Sequence, residues 1–179
     1  DDLLGSLATL ESKAGGATLI FSGDRDMFQC ASKQVTVLYP SRGGPQLIGP
    51  AEVRRRSGVD PLQIPDLIAL RGDPSDGIPG AKGIGEKGAA LLLSQYGSLE
   101  AVLAAADDEA SKMTARTRAS LLADPALLRS FKAMATLQPI TLKRPKDAAL
   151  KASAGAAAAR ELGMNRLAER LEKAANVKA

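Results

Sequence analysis

The residues of this sequence with the clearest chemical potential are three pairs of aspartates. One pair opens the chain, one follows a short apolar run, and one precedes a glycine-rich stretch. The six residues are Asp1, Asp2, Asp24, Asp26, Asp73 and Asp76. The chain has no His, the commonest metal ligand and general base, and it has a single Cys. A metal bound here is therefore expected to be hard and held by oxygen, as Mg²⁺ or Mn²⁺ would be.

If the three pairs converge, their carboxylates could hold two or more divalent ions. Two such ions about 4 Å apart would activate a water molecule and stabilise the leaving oxygen during phosphodiester hydrolysis. Taken singly, the stretches "GDRD" and "GDPSDG" are more typical of surface turns, because Asp is a common turn former and helix cap. The joint occurrence of the three pairs with the glycine-rich stretch favours the metal site.

The stretch "IPGAKGIGEKGAALLL", residues 78–93, predicts a tight hairpin followed by an amphipathic helix. In a helix-hairpin-helix element, the backbone N–H groups of such a turn face a DNA phosphate and read no bases. Nearby lysines would add attraction that weakens with salt. A plain turn between helices is the simpler alternative. The residues predicted to contact DNA are Gly80, Lys82, Gly83, Ile84, Gly85 and Lys87, with Ile84 packed inward.

Elements that could position these groups follow from the apolar patterns. The first fifty residues predict an α/β arrangement: a helix over 1–14, a strand in "ATLIFSGD", one or two helical turns in "RDMFQCAS", a strand in "QVTVLYP" and a weak extended segment. From residue 49 onwards the patterns are helical. Helices are predicted in "AEVRRRSG", "LQIPDLIALRG", "EKGAALLLSQYG", "LEAVLAAA" and "ALLRSFKAMATL", and two more are predicted on either side of Gly163.

The amino-acid composition argues against several classes of function. Aromatic residues make up 3% of the chain, which argues against proteins that stack single-stranded bases on Phe, Tyr or Trp. One Cys excludes an internal disulfide. No apolar run is long enough for a membrane span, and no signal peptide is visible, so a cytoplasmic location is expected. The net charge of +4 is compatible with a polyanionic partner.

Four segments in order, "DDLLGSLA", "LIFSGDRDMFQ", "LIALRGDPSDGIPGAKGIGEKGAALLL" and "YGSLEAVLA", resemble the bacterial 5′-nuclease family. This family comprises the 5′-3′ exonucleases and flap endonucleases that stand alone or form the N-terminal domain of DNA polymerase I. The resemblance implies a PIN-like (resolvase-like) α/β/α domain, here without its N-terminal part, followed by a helix-three-turn-helix region that binds DNA. It implies metal-dependent hydrolysis of DNA at 5′ flaps and 5′ ends in replication and repair.

The resemblance also assigns roles to residues. The three aspartate pairs match the family's metal ligands, with Arg25 where Lys is usual and Gly77 where Asn is usual. The implied metals are Mg²⁺ or Mn²⁺, and backbone carbonyls near Gly80 to Gly85 are an implied site for K⁺. The expected partner is DNA with a 5′ flap or 5′ end at a duplex junction. A monomer associated with the nucleoid through DNA is expected.

Three regions are predicted: residues 1–58 as the C-terminal part of the PIN-like domain, 59–137 as the helix-three-turn-helix region, and 138–179 as a helical extension. The absence of a polymerase-like continuation favours a stand-alone nuclease. The family's first strand, an upstream aspartate and its cationic helical arch are not in this sequence. An alternative is therefore a non-catalytic module that binds duplex DNA. A third hypothesis is an RNA-cleaving PIN-type toxin, a class that lacks the DNA hairpin.

Overall fold

A computed structural model of the chain describes residues 1–149 and 151–176. Its sheet has three strands, β1 (Thr18–Phe21), β2 (Val35–Tyr39) and β3 (Gln46–Ile48), in that spatial order. β1 and β2 are parallel, with Thr18 opposite Val35, and β3 runs antiparallel to β2. The sheet lies within the first fifty residues, so the predicted α/β arrangement there is confirmed.

The first helix, α1 (Asp2–Lys13), packs beside the sheet, and a short 3₁₀ helix (Asp26–Cys30) joins β1 to β2. The parallel pairing of β1 and β2 requires a crossover of this kind, because the chain must return to the starting edge of the sheet. The strands contribute Ile20, Val37 and Ile48 to the core. Leu19 and Phe21, which alternate with Ile20 along β1, are 66% and 64% exposed.

The remainder of the first compact unit is helical. Its helices are α2 (Pro50–Ser57), a 3₁₀ turn (Pro61–Gln63), α3 (Ile64–Arg71), α4 (Glu86–Tyr96), α5 (Leu99–Asp107), α6 (Ala115–Leu122) and α7 (Pro125–Ala135). Pro50 and Pro125 stand in the first turns of their helices, where proline's missing N–H is not needed. The side chains of Ser98 and Asp124 cap α5 and α7.

Helix α3 is the centre of the core. Every residue from Ile64 to Leu70 is buried, and the helix contacts α4, α5, α7 and the first 3₁₀ helix. A helix that is apolar on all sides must be enclosed by others. Asp66 is the buried exception, and Lys132 of α7 pairs with it at 2.6 Å. The packing of α3 therefore fixes the position of Arg71, at its C-terminal end, and of the point where the following segment begins.

Helix α6 was not predicted from the sequence. Its eight residues, "ARTRASLL", carry apolar side chains only at Leu121 and Leu122 besides alanine, and only Leu121 is buried. One buried position gives no helical periodicity to detect. The usable signal was the cap, because the side chain of Thr114 accepts a hydrogen bond from the backbone N–H of Thr117.

Contacts divide the chain into two compact units, Asp1–Arg144 and Pro145–Ala179. In the second unit, α8 (Ala152–Glu161) packs against α9 (Asn165–Ala175) through small residues, chiefly Ala156, Ala159 and Ala168. Arg160 and Glu172 form an ion pair at 2.8 Å between the two helices. The predicted break at Gly163 is confirmed.

No single helix in the described ranges 1–149 and 151–176 is long and apolar enough to cross a membrane. Helices α4 and α5 together meet the length and composition of a span, but they are bent by 85° at their junction.

Candidate metal centre and nucleic-acid interface

Asp24 and Asp26 follow the end of β1 and are held by local hydrogen bonds. The hydroxyl of Ser22 accepts a hydrogen bond from the Asp24 backbone N–H at 3.1 Å, and Asp24 Oδ1 accepts one from the Asp26 backbone N–H at 2.9 Å. This turn leads into the 3₁₀ helix and buries Asp26, while Asp24 stays exposed. The strand end thus supplies one buried and one exposed carboxylate.

The carboxyl group of Asp26 is the most perturbed acid of the site. Burial, followed by the charges of Asp24, Asp76 and Asp73, raises its pKa to about 6, and Arg71 opposes this only weakly. Its carboxylate accepts no hydrogen bond within the described part of the chain. Carboxylates whose charges raise the pKa of Asp26 must lie within electrostatic reach of it. Two of the predicted aspartate pairs therefore meet around Asp26.

Asp73 and Asp76 lie on a loop that closes on its own backbone. Asp73 and Ile78 form an isolated antiparallel bridge, with N–H to carbonyl distances of 2.7 and 2.8 Å. At the neck of the loop, Gly72 and Gly80 have φ of +82° and +68°. A Cβ on Gly80 would lie 2.3 Å from the backbone nitrogen of Gly72. Only glycine allows the two chain segments to approach this closely.

Asp73 differs from Asp26 in that its carboxylate is hydrogen bonded. It accepts hydrogen bonds from the hydroxyl and the backbone N–H of Ser75, and its Oδ2 lies 3.5 Å from Arg71 Nη2. The hydroxyl of Ser75 is the main reason that the pKa of Asp73 is lowered. Asp73 therefore stays ionised beside Asp26, which is protonated much more readily.

Five of the six predicted ligands line one cleft of about 440 Å³: Asp1, Asp2, Asp24, Asp26 and Asp76. The opposite wall is the segment after α7, where Asp2 Oδ1 accepts a hydrogen bond from the Gln138 backbone N–H at 2.8 Å. Asp1 is the N-cap of α1 but makes no capping hydrogen bond. Asp73 does not line the cleft. As placed in residues 1–149 and 151–176, no three acidic or cysteine side chains are close enough to hold one metal ion.

The glycine hairpin, residues 80–85, presents backbone to solvent. Ile84 is buried, as predicted, and its N–H donates to the Ala81 carbonyl at 3.0 Å. Lys82, Gly83, Gly85 and Lys87 are all exposed. Helix α4 begins after Gly85, which has no side chain to cap it. The first N–H groups of α4 are therefore open to an anion.

Helix α6 contacts the glycine hairpin. The Ser120 hydroxyl donates a hydrogen bond to the Lys82 carbonyl at 2.6 Å, and a Cβ on Gly83 would lie 3.6 Å from Arg116 Nη2. Arg116 is thus a further cation at the hairpin that the sequence reasoning missed. Because α6 itself was missed, its position beside residues 82–83 could not be anticipated.

Comparison with known proteins gives three results. A family model described as "5′-3′ exonuclease, C-terminal SAM fold" matches residues 59–154, more than half of the chain. A 5′-3′ exonuclease of Mycobacterium tuberculosis is 43% identical over 159 residues, which make up 82% of this chain and 49% of the relative. DNA polymerase I of Mycobacterium bovis is 44% identical over 123 residues, 68% of this chain and 14% of the relative. The chain thus spans about half the length of the exonuclease that it matches.

Among solved structures, the bacteriophage T5 flap endonuclease in a complex with DNA and metal ions matches with a TM-score of 0.66. The match covers 96% of this chain and 58% of the T5 protein at 16% identity, so it bears on the fold alone. It supports the predicted fold class, a PIN-like α/β region followed by a helical region. The sequence match over residues 59–154 contains the aspartate loop, the glycine hairpin and the helices around them. This chain belongs to the 5′-3′ exonuclease family.

Proposed function

We propose that this chain is the metal-binding and duplex-binding part of a nuclease that hydrolyses DNA phosphodiester bonds at 5′ ends and 5′ flaps. The observation that carries the proposal is the acidic cleft, where Asp24 and Asp76 surround the buried Asp26. The names of the relatives support it, since they are a 5′-3′ exonuclease and DNA polymerase I. Proteins of these kinds would act in replication and repair.

The donor set of the cleft fits a hard divalent cation. Its ligands are carboxylates only, which suits Mg²⁺ or Mn²⁺. The Asp26 carboxylate is buried without a hydrogen bond and is surrounded by like charges, a state that a bound cation would relieve. Asp24, Asp26 and Asp76 would hold the ion after moving closer together than the structure places them, with Asp1 and Asp2 also lining the cleft and Asp73 outside its lining. The T5 flap endonuclease, which shares this fold, was solved in a complex with metal ions.

When bound, such ions supply an activated water and neutralise charge on the leaving oxygen. The chain's own contribution is to fix the groups around them. The turn after β1 holds Asp24 and Asp26 at the cleft, and the closed loop 72–80 brings Asp76 to the same cleft. Asp26 must be ionised to bind a cation, so metal binding is expected to strengthen as pH rises through about 6.

The glycine hairpin is proposed to hold duplex DNA by its phosphates. Its exposed glycine backbone, the open start of α4 and the side chains of Lys82 and Lys87 form a surface for anions that reads no base. Backbone carbonyls of residues 80–85 are the proposed site for K⁺. The T5 flap endonuclease, which shares this fold, was solved in a complex with DNA. The monomeric state and the cytoplasmic, nucleoid-associated location remain predictions, as do the region boundaries after residues 58 and 137.

Cleavage of a 5′-flap substrate tests the proposed function. With Mg²⁺ or Mn²⁺ the chain should release a product, a chelator should stop the reaction, and Asp24→Asn combined with Asp73→Asn should slow it by at least about a hundredfold. The matched control is Asp107→Asn combined with Glu109→Gln, which removes the same charge from exposed acids outside the cleft and should leave the rate unchanged. Equal activity of the two double variants would contradict the metal centre.

A second candidate function, binding of duplex DNA without cleavage, is favoured by one observation. No three of the described acids are close enough to hold one ion as placed. In that case the chain would bind a duplex with or without divalent metal, and no chelator-sensitive product would form. Selective cleavage of structured RNA would instead favour the toxin hypothesis.

Lys87→Glu should weaken duplex binding under either function. The substitution places a negative charge in the exposed first turn of α4, so affinity should fall and the dependence of log affinity on log salt should become shallower by about one unit or more. Fluorescence anisotropy at several salt concentrations measures both quantities. Lys33→Glu, the same change at an exposed position outside the hairpin, is the control. An equal loss for the control would show that only net charge matters.

A further inference from the structure

A second cavity, of about 230 Å³, lies next to the acidic cleft and has a different chemistry. We call it the arginine pocket, because Arg25, Arg56 and Arg71 line it together with Asp26 and Glu86. Asp26 also lines the acidic cleft, so the two cavities share a wall. None of the three arginines belongs to the metal site or to the glycine hairpin as proposed above.

Each arginine of the pocket has at least one side-chain N–H group without a hydrogen-bond acceptor in the described part of the chain. The side chain of Arg25 forms no ion pair or hydrogen bond with the described residues, although its backbone carbonyl accepts a hydrogen bond from the Phe28 N–H. Arg56 uses Nε on Glu52 and Nη2 on Gln46, which leaves its Nη1 without an acceptor in the described part of the chain. The Nε of Arg71 is buried and likewise lacks an acceptor there. A buried donor without a partner is unfavourable unless a ligand completes it.

The surroundings hold two of these arginines in place. Glu52 binds Arg56 Nε at 2.6 Å, and the Arg56 guanidinium lies 5.8 Å from the centre of the Tyr39 ring. Arg71 is fixed by the end of the buried helix α3 and reaches Asp73 and Glu86 only at 3.5 and 3.4 Å. Preorganised guanidinium groups of this kind suit an oxyanion, because their planar forks match phosphate geometry.

The other residues that line the arginine pocket limit the kind of anion that it can bind. Phe28, Ile64 and Leu67 give the pocket an apolar side, which a sugar could cover and which offers nothing to a free inorganic ion. Two carboxylates also face the pocket, Asp26 and Glu86, and both oppose an anion. Glu86 competes directly, since its Oε2 is an acceptor for Arg71. A ligand must therefore engage several arginines at once.

We infer that the arginine pocket binds a phosphate group of a nucleotide and thereby positions a DNA strand beside the aspartates. The inference rests on the proposed function only in naming DNA as the source of the phosphate. Two sources share this chemistry, a terminal 5′-phosphate and an internal phosphodiester. In either case Arg25, Arg56 and Arg71 act as positioning residues for the strand and are not metal ligands.

The test is calorimetric titration of the chain with deoxyadenosine 5′-monophosphate in a chelating buffer, which separates binding from cleavage. Arg56→Gln should weaken nucleotide binding about tenfold, because it removes a charge-assisted hydrogen bond. Arg54→Gln is the matched control: Arg54 also lies on α2, pairs with Asp60 and does not line the pocket, so the affinity should stay within about twofold. Glu86→Gln should tighten binding, since it removes the competitor of the phosphate for Arg71.

Arg25→Gln is the second variant, because Arg25 is exposed and unpaired in the described residues, so its loss should not disturb folding. It should weaken binding in the same direction as Arg56→Gln. Absence of nucleotide binding at millimolar concentration, or an equal loss for Arg54→Gln and Arg56→Gln, would overturn the inference. Inorganic phosphate should bind more weakly than the nucleotide, and equal binding of the two would mean an adventitious ion only.

Duplexes with a 5′-phosphate or a 5′-hydroxyl identify the source. Tighter binding of the phosphorylated duplex that disappears in Arg56→Gln assigns the terminal phosphate. Equal binding of both, with both weakened by Arg56→Gln, assigns an internal phosphodiester, and no effect of Arg56→Gln on either overturns the pocket. Nucleotide binding without metal-dependent cleavage would contradict the proposed function but support the arginine pocket as a phosphate site. Cleavage without nucleotide binding would support the proposed function and contradict the pocket.

Discussion

Asp26→Asn should make the metal-free chain more resistant to unfolding at pH 7.5, by about 1–3 kcal/mol, while removing metal-dependent cleavage. The Asp26 carboxylate is buried, accepts no hydrogen bond from the described residues and faces the charges of Asp24, Asp76 and Asp73. Asn keeps the size of the side chain and removes the charge. Side chains at functional sites often lower the stability of the fold in this way.

The same substitution should alter how stability depends on pH. The pKa of Asp26 is about 6 in the fold against an ordinary value of 3.8, so the folded chain binds this proton more tightly than the unfolded chain does. The stabilisation from the protonated carboxyl is complete below the unfolded pKa and is lost as pH rises through about 6. The advantage of Asp26→Asn over the wild type should thus be small near pH 4 and reach its full size by about pH 7.

Urea denaturation in a chelating buffer at several pH values measures this difference directly. Glu109→Gln is the control, because Glu109 is an exposed acid outside the cleft and its loss should change stability by no more than about 0.5 kcal/mol. An Asp26→Asn variant that is less stable than the wild type at pH 7.5 would mean that the carboxylates do not repel one another as the structure places them.

Gly80→Ala should have the largest effect on stability of any single change in the aspartate loop. The added Cβ would lie 2.3 Å from the Gly72 nitrogen and 2.6 Å from the Arg71 carbonyl carbon, both backbone atoms that cannot rotate away. The φ of +68° adds strain. We expect a loss of about 3–5 kcal/mol of unfolding free energy, and weaker metal binding because the loop would have to open.

Gly77→Ala separates the two causes of this loss. Gly77 has nearly the same φ, +69°, but a Cβ there meets nothing within 4 Å. It should therefore show only the conformational cost, about 1–2 kcal/mol. Denaturant titration of both variants gives the comparison. Equal losses would show that the close approach of residues 72 and 80 contributes nothing to stability.

Local sequence signals predicted most of the helices and the first two strands. The apolar pattern over residues 1–14 indicated α1, the pattern in "ALLRSFKAMATL" indicated α7, and Gly163 marked the break between the last two helices. These features depend on neighbours within one or two turns. The same locality explains the failure at α6, which is held by its cap and one buried leucine, so that its own residues carry almost no pattern.

The candidate site was predicted less completely than the fold, because it depends on contacts between distant segments. The three aspartate pairs could be chosen from residue type and spacing, but the hydrogen bond from Gln138 to Asp2 joins residues 136 positions apart. The arginine pocket could not be foreseen for the same reason: Arg25, Arg56 and Arg71 lie on three elements that only the folded core brings together. No local pattern marks any of them as a set.

Calorimetric titration with Mn²⁺ tests most directly whether the aspartates around Asp26 form a divalent-metal centre. The wild-type chain at pH 7.5 should bind Mn²⁺ with release of heat or protons and should gain thermal stability as Mn²⁺ is added. Asp24→Asn combined with Asp73→Asn should lose both effects, and Asp107→Asn combined with Glu109→Gln should keep them. Mn²⁺ binding of equal strength in the two double variants would contradict the metal centre.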